Sequence, residues 1–488
     1  MLPEAECIEC MGEKIKTHDK KIYVGLFGLI LFVLIGYVLA CPKMLETAAE
    51  GNGYDGRTAM IVLGALVWAI VWWAGSVVPD WCTALLLQCI WIAAAGLEFS
   101  MVFGAFAKST VWLLVGTFCL AGAITKTGLL RRISLKLMQF FPSTYRGQVS
   151  AMLCVGTICG PLMPSSTAKG LLGGKLAKTS ADLMGYEKNS QGRSGLFVAA
   201  WSGFGLLAPM FLSASFLSYS MIGCLPEEYG QVSWMQWLIA MVPWGIIVFA
   251  GMWLTAAVLY RPDGEKSFSK DHICGLYRDL GKMQTPEKLT GLILAVCLVF
   301  WILERTTGIS AGIVSLVGGM LCFVLGILKK EELADCVPWG FVLFVGVVLN
   351  LGDVLTKTGI SGWILQMLGP VLLTLESKIV LICVVVAVTV LLRFVLASQT
   401  AVITLLVGVL APIAMELQMN PFIIGLVVYA NVAVWVAFYQ NPTYLASLQG
   451  MEGTIEHQNT VKAGILYILI SAAACLISVP YWGMLGYM

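Results

Sequence analysis

The stretch Pro164-Ser-Ser-Thr-Ala-Lys-Gly170, "PSSTAKG", decides how this chain is organised, because it puts a helix-breaking proline and three hydroxyls next to a run that reads as membrane-embedded. The surrounding composition makes the placement unusual. Of 488 residues, 59% are hydrophobic and 12% charged, which marks a polytopic membrane protein. Apolar windows set against a hydrocarbon core of about 30 Å predict crossings near 22–40, 58–75, 80–97, 109–126, 195–222, 234–260, 289–304, 309–328, 339–356, 420–440 and 462–484, about eleven in all. With the N-terminus cytoplasmic, 23 of the 30 Lys and Arg face inward, six face outward and Arg393 is embedded, which satisfies the positive-inside rule. The predicted location is the cytoplasmic membrane, multi-pass.

Arg146 and Lys169 both belong to inward clusters and enclose only 22 residues. A segment with both ends on one side dips in and returns, and non-helical backbone at that depth is tolerated only where protein or a watery cavity covers it. "PSSTAKG" is therefore read as the tip of a re-entrant hairpin over 147–176. A second tip follows from self-comparison. "TKTGLLRRI" at 125–133 recurs as "TKTGISGWI" at 356–364, and the distances from Lys126 to Ser165 and from Lys357 to Ser398 are 39 and 41 residues. The same reasoning makes 379–418 a longer hairpin entered from the opposite side, with Ser398, Gln399 and Thr400 at its tip, although parity does not fix this one, since 40 residues could cross twice. The two copies stand an odd number of crossings apart and so run inverted, as in secondary transporters.

The predicted fold class is all-α, with about eleven transmembrane helices, two re-entrant hairpins and two inverted repeats. Its expected divisions are 1–56 (cytoplasmic N-terminus and first span), 57–260 (repeat 1), 261–288 (cytoplasmic linker) and 289–488 (repeat 2 and last span).

At each tip one helix stops and another starts, so free N–H groups attract an anion and unwound carbonyls can hold a small cation. Two further breaks, "WSGFGLLAP" at 201–209 with Gly203 and Gly205, and "FYQNPTY" at 438–444 with Asn441, Pro442 and Thr443, point to the same site. Candidate substrate ligands are Ser165, Ser166, Thr167, Ser398, Gln399, Thr400, Asn441, Pro442, Thr443 and Arg393. Candidate ion ligands are Ser165, Ser166, Gly203, Ser398 and Gln399. Embedding Arg393 costs about 2.5–3.5 kcal/mol, so it needs a partner, whether a substrate carboxylate, Glu416 or snorkelling to the surface. Asp353 and Asn350 could carry a proton or simply sit at a solvated span end.

Other chemistries find little support. His18, His272 and His457 lie in predicted loops, and no GxxxxGK[ST], HExxH or GxSxG occurs, so neither ATP use within the chain nor an enzyme is expected. No organic cofactor and no nucleic acid partner are expected. Cys7 and Cys10 with His18 could bind a metal, although a reduced tail is the plainer reading, and the remaining cysteines behave as small hydrophobes.

These motifs resemble one family. "WWAGSVVPDWCTALL" (72–86), "KTGLLRRI", "PSSTAKG", "APMFLSASF" (208–216), "ASQTA" (397–401), "FYQNPTY" and "PYWGMLGYM" (480–488) are similar, in order, to the divalent anion/sodium symporters, and within them to the 2-oxoglutarate/malate and citrate/succinate translocators. The resemblance implies a homodimer with a scaffold and a mobile, elevator-like transport domain, and substrate and sodium at the tips. Ser165–Thr167 and Ser398–Thr400 match the family's two Ser-Asn-Thr motifs, and Gly203 and Asn441–Thr443 match its two unwound spans. Ser166 and Gln399 replace the usual asparagines, and Pro161 and Phe394 lack a hydroxyl that some sodium-coupled relatives offer, which leaves sodium, proton and exchange coupling open. Lys169 stands where relatives often have Arg. The expected function is secondary transport of a di- or tricarboxylate across the bilayer. The alternatives are a sulfate or other inorganic oxyanion carrier, and a membrane enzyme or sensor on the same fold.

Overall fold

The computed structural model describes residues 21–488 apart from Ser76, Pro164, Asp263, Glu265, 374–376 and Ala397, so Cys7, Cys10 and His18 lie outside the described residues. The described chain is helical, with a single isolated β-bridge between Thr144 and Ser267. The first half runs through α1 (Lys21–Val38), α2 (Lys43–Glu50), α3 (Gly56–Gly75), α4 (Asp80–Ala93), α5 (Phe99–Phe103), α6 (Ser109–Thr127), α7 (Leu129–Met138), α8 (Tyr145–Cys159), α9 (Ser166–Leu183), α10 (Gln191–Trp201), α11 (Phe216–Gly223) and α12 (Trp234–Leu254). Then come α13 (Lys270–Asp279), α14 (Thr285–Ile302), α15 (Glu304–Thr307), α16 (Ala311–Val324), α17 (Leu333–Cys336), α18 (Trp339–Val348), α19 (Leu351–Lys357) and α20 (Ile360–Leu373). The chain closes with α21 (Lys378–Val395), α22 (Gln399–Glu416), α23 (Pro421–Asn431), α24 (Pro442–Gln449) and α25 (Val461–Met484).

Nine helices among the described residues are long and apolar enough to cross a membrane, and two of them, α21 and α22, fall in the segment 379–418 that the sequence reads as the second hairpin. Two expected spans, 80–97 and 309–328, are the shorter helices α4 and α16. Two more, 195–222 and 420–440, are discontinuous. After α10 the chain passes through a π-helical turn, Ser202–Leu206, and short 3₁₀ turns before α11, and after α23 it is irregular until a 3₁₀ turn at Phe438–Gln440 leads into α24. Apolarity alone counts both as spans because their side chains stay hydrophobic while the helical hydrogen bonds stop.

The two KTG copies fold alike. Each threonine returns its hydroxyl to the carbonyl four residues back, Thr127 to Ala123 and Thr358 to Val354, both at 2.8 Å. The glycine that follows is left-handed, with φ of 72° at Gly128 and 77° at Gly359, a conformation that ends one helix without a Cβ clash and starts the next.

Small residues let backbones meet, the packing that substitutes for hydrophobic drive inside a bilayer. Gly116 of α6 lies against the backbone of Ser315 in α16, Gly156 of α8 against Gly203 in the first break, and Gly174 of α9 against Ser447 of α24. The last contact joins the first hairpin to the second half of the chain. The segment expected as a loop between the halves contains α13, strapped to α7 by Arg132. That guanidinium pairs with Glu287, donates to the carbonyls of Gly281 and Leu280 at 3.0 and 3.1 Å, and stacks on Tyr277.

Candidate functional site

Both tips are built by serine caps. Ser165 Oγ accepts from the Ala168 N–H at 3.4 Å and opens α9, and Ser398 Oγ accepts from the Ala401 N–H at 3.2 Å and opens α22. The breaks are capped in the same way. Ser215 Oγ accepts from Leu217 N–H at 3.2 Å at the start of α11, and Asn441 Oδ1 accepts from Tyr444 N–H at 3.0 Å at the start of α24.

These four helix starts surround one cavity of about 30 Å³, whose polar lining is Ser166, Ser215, Gln399, Tyr429, Asn441 and Thr443. No Asp or Glu lines it. Each helix N-terminus carries about half a positive charge on its unpaired N–H groups, so four of them pointing at one space favour a negative occupant. The C-terminal ends of α10 and α23 reach the same cavity at Trp201, Tyr429 and Val432, supplying carbonyl character on the other side. A void of this size exceeds the ~10–15 Å³ that a water needs and falls well short of the ~300 Å³ at the low end for organic ligands. In this state the site is closed to the scale of an ion or a water. Two larger spaces lie at opposite ends of α6. One of about 520 Å³ is lined by Lys108, Tyr219, Gln236 and Glu304, and one of about 460 Å³ by Lys126, Ser165, Ala168, Glu332 and Asp335.

The sequence-predicted residues divide accordingly. Ser166, Gln399, Asn441 and Thr443 line the small cavity, and Ser165 lines the 460 Å³ space. Ser398 is a cap, while Thr167, Thr400 and Pro442 occupy the first turns beside the lining residues. Gly203 packs on the Met152 and Leu153 backbone, and Gly205 is the glycine that faces the cavity.

Arg393 is fully buried. Its Nε donates to the Val432 carbonyl at 2.9 Å, Nη1 to Leu396 at 2.6 Å and Nη2 to Gln440, while Gln440 Nε2 donates back to the Arg393 carbonyl at 3.2 Å. Glu416 ends α22, 17 residues beyond Gln399, which is about 25 Å along the helix, so it lies far from the tip and does not brace Arg393. Asp353 pairs with Lys108 at 2.9 Å, and Asn350 Nδ2 donates to the Val102 carbonyl at 3.0 Å and to that of Met101.

Sequence reasoning counted Lys169 in a basic cluster and matched it to a position where relatives often have Arg, but left it out of the site. The structure buries it completely, with Nζ donating to the Gly160 carbonyl at 3.3 Å and the Ala214 carbonyl at 2.6 Å. Sequence reasoning also missed Ser215, which lies in the "APMFLSASF" motif without having been assigned to the site, and Tyr429, which lies in no motif. His457 was placed in a loop, but it opens the continuous helix His457–Met484, and its ring bridges the Val436 carbonyl at 3.1 Å and the Tyr444 hydroxyl at 3.0 Å, fastening both sides of the second break. A usable signal existed for these groups, because every carbonyl freed by a broken span demands a donor at its own depth.

Residues 21–488 match the family described as the sodium:sulfate symporter transmembrane region. A membrane protein of Cupriavidus necator is 22% identical over 96% of this chain and 93% of its own length. A sodium-dependent dicarboxylate transporter, SdcS, of Staphylococcus saprophyticus is 23% identical over 84% of this chain and 82% of its own. The chloroplastic dicarboxylate transporter 2.1 of Arabidopsis thaliana is 24% identical over 58% of this chain and 52% of its own. Among solved structures, the YdaH transporter of Alcanivorax borkumensis shares the fold with a TM-score of 0.53 and 14% identity, covering 78% of this chain and 88% of that one.

Proposed function

The chain belongs to the sodium:sulfate symporter family of divalent anion/sodium symporters, and on that premise we propose that it is a secondary active carrier of a di- or tricarboxylate-type organic anion. The observation that carries this reading is the meeting of four helix N-termini, two from each half of the chain, at one cavity with no acidic residue in its lining. Ser166, Thr443 and the amides of Gln399 and Asn441 supply directed hydrogen bonds to carboxylate oxygens, and the helix ends supply the positive field. An organic anion needs more room than the closed cavity gives, so binding requires the tips to part, opening toward one of the two larger spaces. The relatives named sodium-dependent dicarboxylate transporters support both the substrate class and sodium as the coupling ion. The carbonyl ends of α10 and α23 are the place for that ion. The basic face of the molecule is cytoplasmic, as the positive-inside rule requires, and the working unit is a homodimer.

A second reading, an inorganic oxyanion such as sulfate, is favoured by the small volume of the cavity. Uptake of radiolabelled succinate into proteoliposomes separates the readings. Accumulation driven by an inward sodium gradient establishes symport, and uptake that needs only internal malate establishes exchange. Failure under both conditions together with sodium-driven uptake of labelled sulfate overturns the organic-anion reading.

A further inference from the structure

His457 belongs to a closed set of four hydrogen bonds whose hydrogens can be counted. Its Nε2 meets the Val436 carbonyl at 3.1 Å and its Nδ1 meets the Tyr444 hydroxyl at 3.0 Å. That hydroxyl meets Thr460 Oγ1 at 2.8 Å, and Thr460 Oγ1 meets the His457 carbonyl at 2.9 Å. Two of the four are fixed at once, because a carbonyl only accepts. Nε2 must carry a hydrogen for Val436, and Thr460 must spend its single hydrogen on His457. The Tyr444–Thr460 contact then needs the tyrosine hydrogen, and nothing remains for the Tyr444–His457 contact except a hydrogen on Nδ1. A ring with hydrogen on both nitrogens is an imidazolium. A neutral ring leaves three hydrogens for four contacts, so one of them opens.

The surroundings pull both ways on such a charge. The ring is half-buried, so a proton can reach it from solvent. Glu456, beside it in the chain and holding Asn189 Nδ2 at 2.8 Å, favours a positive ring. The positive end of the helix His457–Met484 opposes it, as does Lys462 one turn further on. The charged and titratable groups of the other elements around it are committed elsewhere. Arg193 of α10 donates to the Tyr186 and Glu187 carbonyls and pairs with Asp182, and Glu452 pairs with Lys178. Tyr260, beyond α12, donates to the Asn459 carbonyl, Tyr439 to that of Phe394, and Arg393 to those of Val432 and Gln440. What favours the proton is therefore the fourth hydrogen bond, and imidazole is the side chain that changes charge between about pH 5 and 8.

We propose that His457 is a proton-binding site that clamps the second break. The protonated ring ties Val436, in the irregular stretch after α23, to Tyr444 in the first turn of α24. Tyr444 directly follows Thr443, which lines the central cavity, and its ring lies 5.7 Å from that of Trp201, which lines the cavity from the first break. With the proton on, all four bonds hold α24 in the closed arrangement. With it off, one bond beside the cavity is lost. On the carrier reading, from which this last consequence follows, acid slows the parting of the tips.

The test compares Tm of the full-length protein in maltoside micelles at pH 8 and pH 6, wild type against His457→Gln. Glutamine imitates the neutral ring, with an N–H for Val436 and an oxygen for Tyr444, and takes up no proton. The fourth bond exists only while the proton is on, so its stabilisation is present at the acid end and lost as pH rises. Wild type is expected to gain about 2 °C on His457→Gln between pH 8 and pH 6, the effect of one hydrogen bond to a charged group in a chain of this size. Thr460→Val removes the acceptor of the tyrosine hydrogen, which then satisfies a neutral ring. In that background the gain should vanish, whatever the substitution costs in absolute Tm. Parallel melting of wild type and His457→Gln at the two pH values, or a gain that survives Thr460→Val, overturns the site. Uptake of radiolabelled succinate into proteoliposomes, with equal pH on both sides, reads the consequence. Between pH 8 and pH 6 the wild-type rate should fall about tenfold relative to His457→Gln, and equal pH profiles overturn the clamp. Absence of uptake by both proteins counts against the carrier reading alone, because Tm decides the proton site without it.

Discussion

The two hairpin tips solve one problem with different side chains. Each carries a fully buried cation whose hydrogens go to main-chain carbonyls, and each cation ties its own hairpin turn to the discontinuous span that follows it. At the first tip Lys169 sits on the returning arm and makes two bonds, to Gly160 and Ala214. At the second, Arg393 sits on the entering arm, and its planar fork reaches Leu396 and both sides of the break, Val432 and Gln440. The difference follows the shape of the breaks. The first is wound into short turns and draws extra donors from Trp234 and Trp237, which bond Ser213 Oγ and the Pro209 carbonyl. The second is more extended between Val432 and Ala437 and exposes more carbonyls, so it takes a guanidinium and the His457 ring. A point charge suffices where the backbone is partly wound, and a fork is required where it is not.

That contrast can be broken most directly at Arg393. Arg393→Ala leaves three buried carbonyls without their donor, and a loss of about 3–5 kcal/mol is expected, read as a collapse of both Tm and uptake, with Arg393→Lys recovering less than half of the lost Tm. Lys169→Met removes two bonds at similar volume and should cost about 2–3 kcal/mol. If its Tm fell further than that of Arg393→Ala, the ordering of the two tips would be wrong. Gly174→Ala pushes a methyl into the Ser447 backbone, and overpacking of about 1–3 kcal/mol should separate α9 from α24, with a fall in uptake larger than the fall in Tm. Gln399→Ala tests the lining alone. Uptake should drop by about tenfold for a lost hydrogen bond to an anion while Tm stays at the wild-type value.

The smallest effect concerns the KTG lysines, of which Lys126 pairs with Glu332 at 2.7 Å. The bonds from Lys126 and from the Lys329 N–H hold the Glu332 carboxyl below its usual range. The stability this lends is therefore present above the unfolded pKa of about 4.3 and lost as pH falls through the lower folded value. Melting curves of Glu332→Gln and wild type should differ slightly at pH 7 and coincide in acid.

The sequence made the tips and breaks legible because prolines, glycines and hydroxyls interrupting apolar runs have few other uses. Ser165 and Ser398 cap helices as their spacing required, and Gly128 and Gly359 end theirs. The site was half legible. Ser166, Gln399, Asn441 and Thr443 lie at the tips and breaks that the sequence marked, whereas Ser215 lies in the "APMFLSASF" motif just beyond the first break and Tyr429 in an unremarkable apolar stretch, and both reach the cavity through packing. Lys169 was hidden by its company, since Lys175 and Lys178 follow it in the same helix and charge along a line does not show which member is buried. The partners of Arg393 were hidden by distance, as Val432 and Gln440 lie 39 and 47 residues further along the chain. The ends of helices were less legible than the apolar runs, because hydrophobic side chains continue past the point where a helix stops, as at Ser202–Leu206 and after Asn431.

The central cavity draws α9 and α11 from one half of the chain and α22 and α24 from the other. Neither half owns a site. Cut within the linker at Gly281 and produced as two polypeptides, each piece should be silent, and activity should return only when both are made together in the same membrane, so that reassembly itself becomes the assay for how firmly the halves grip one another.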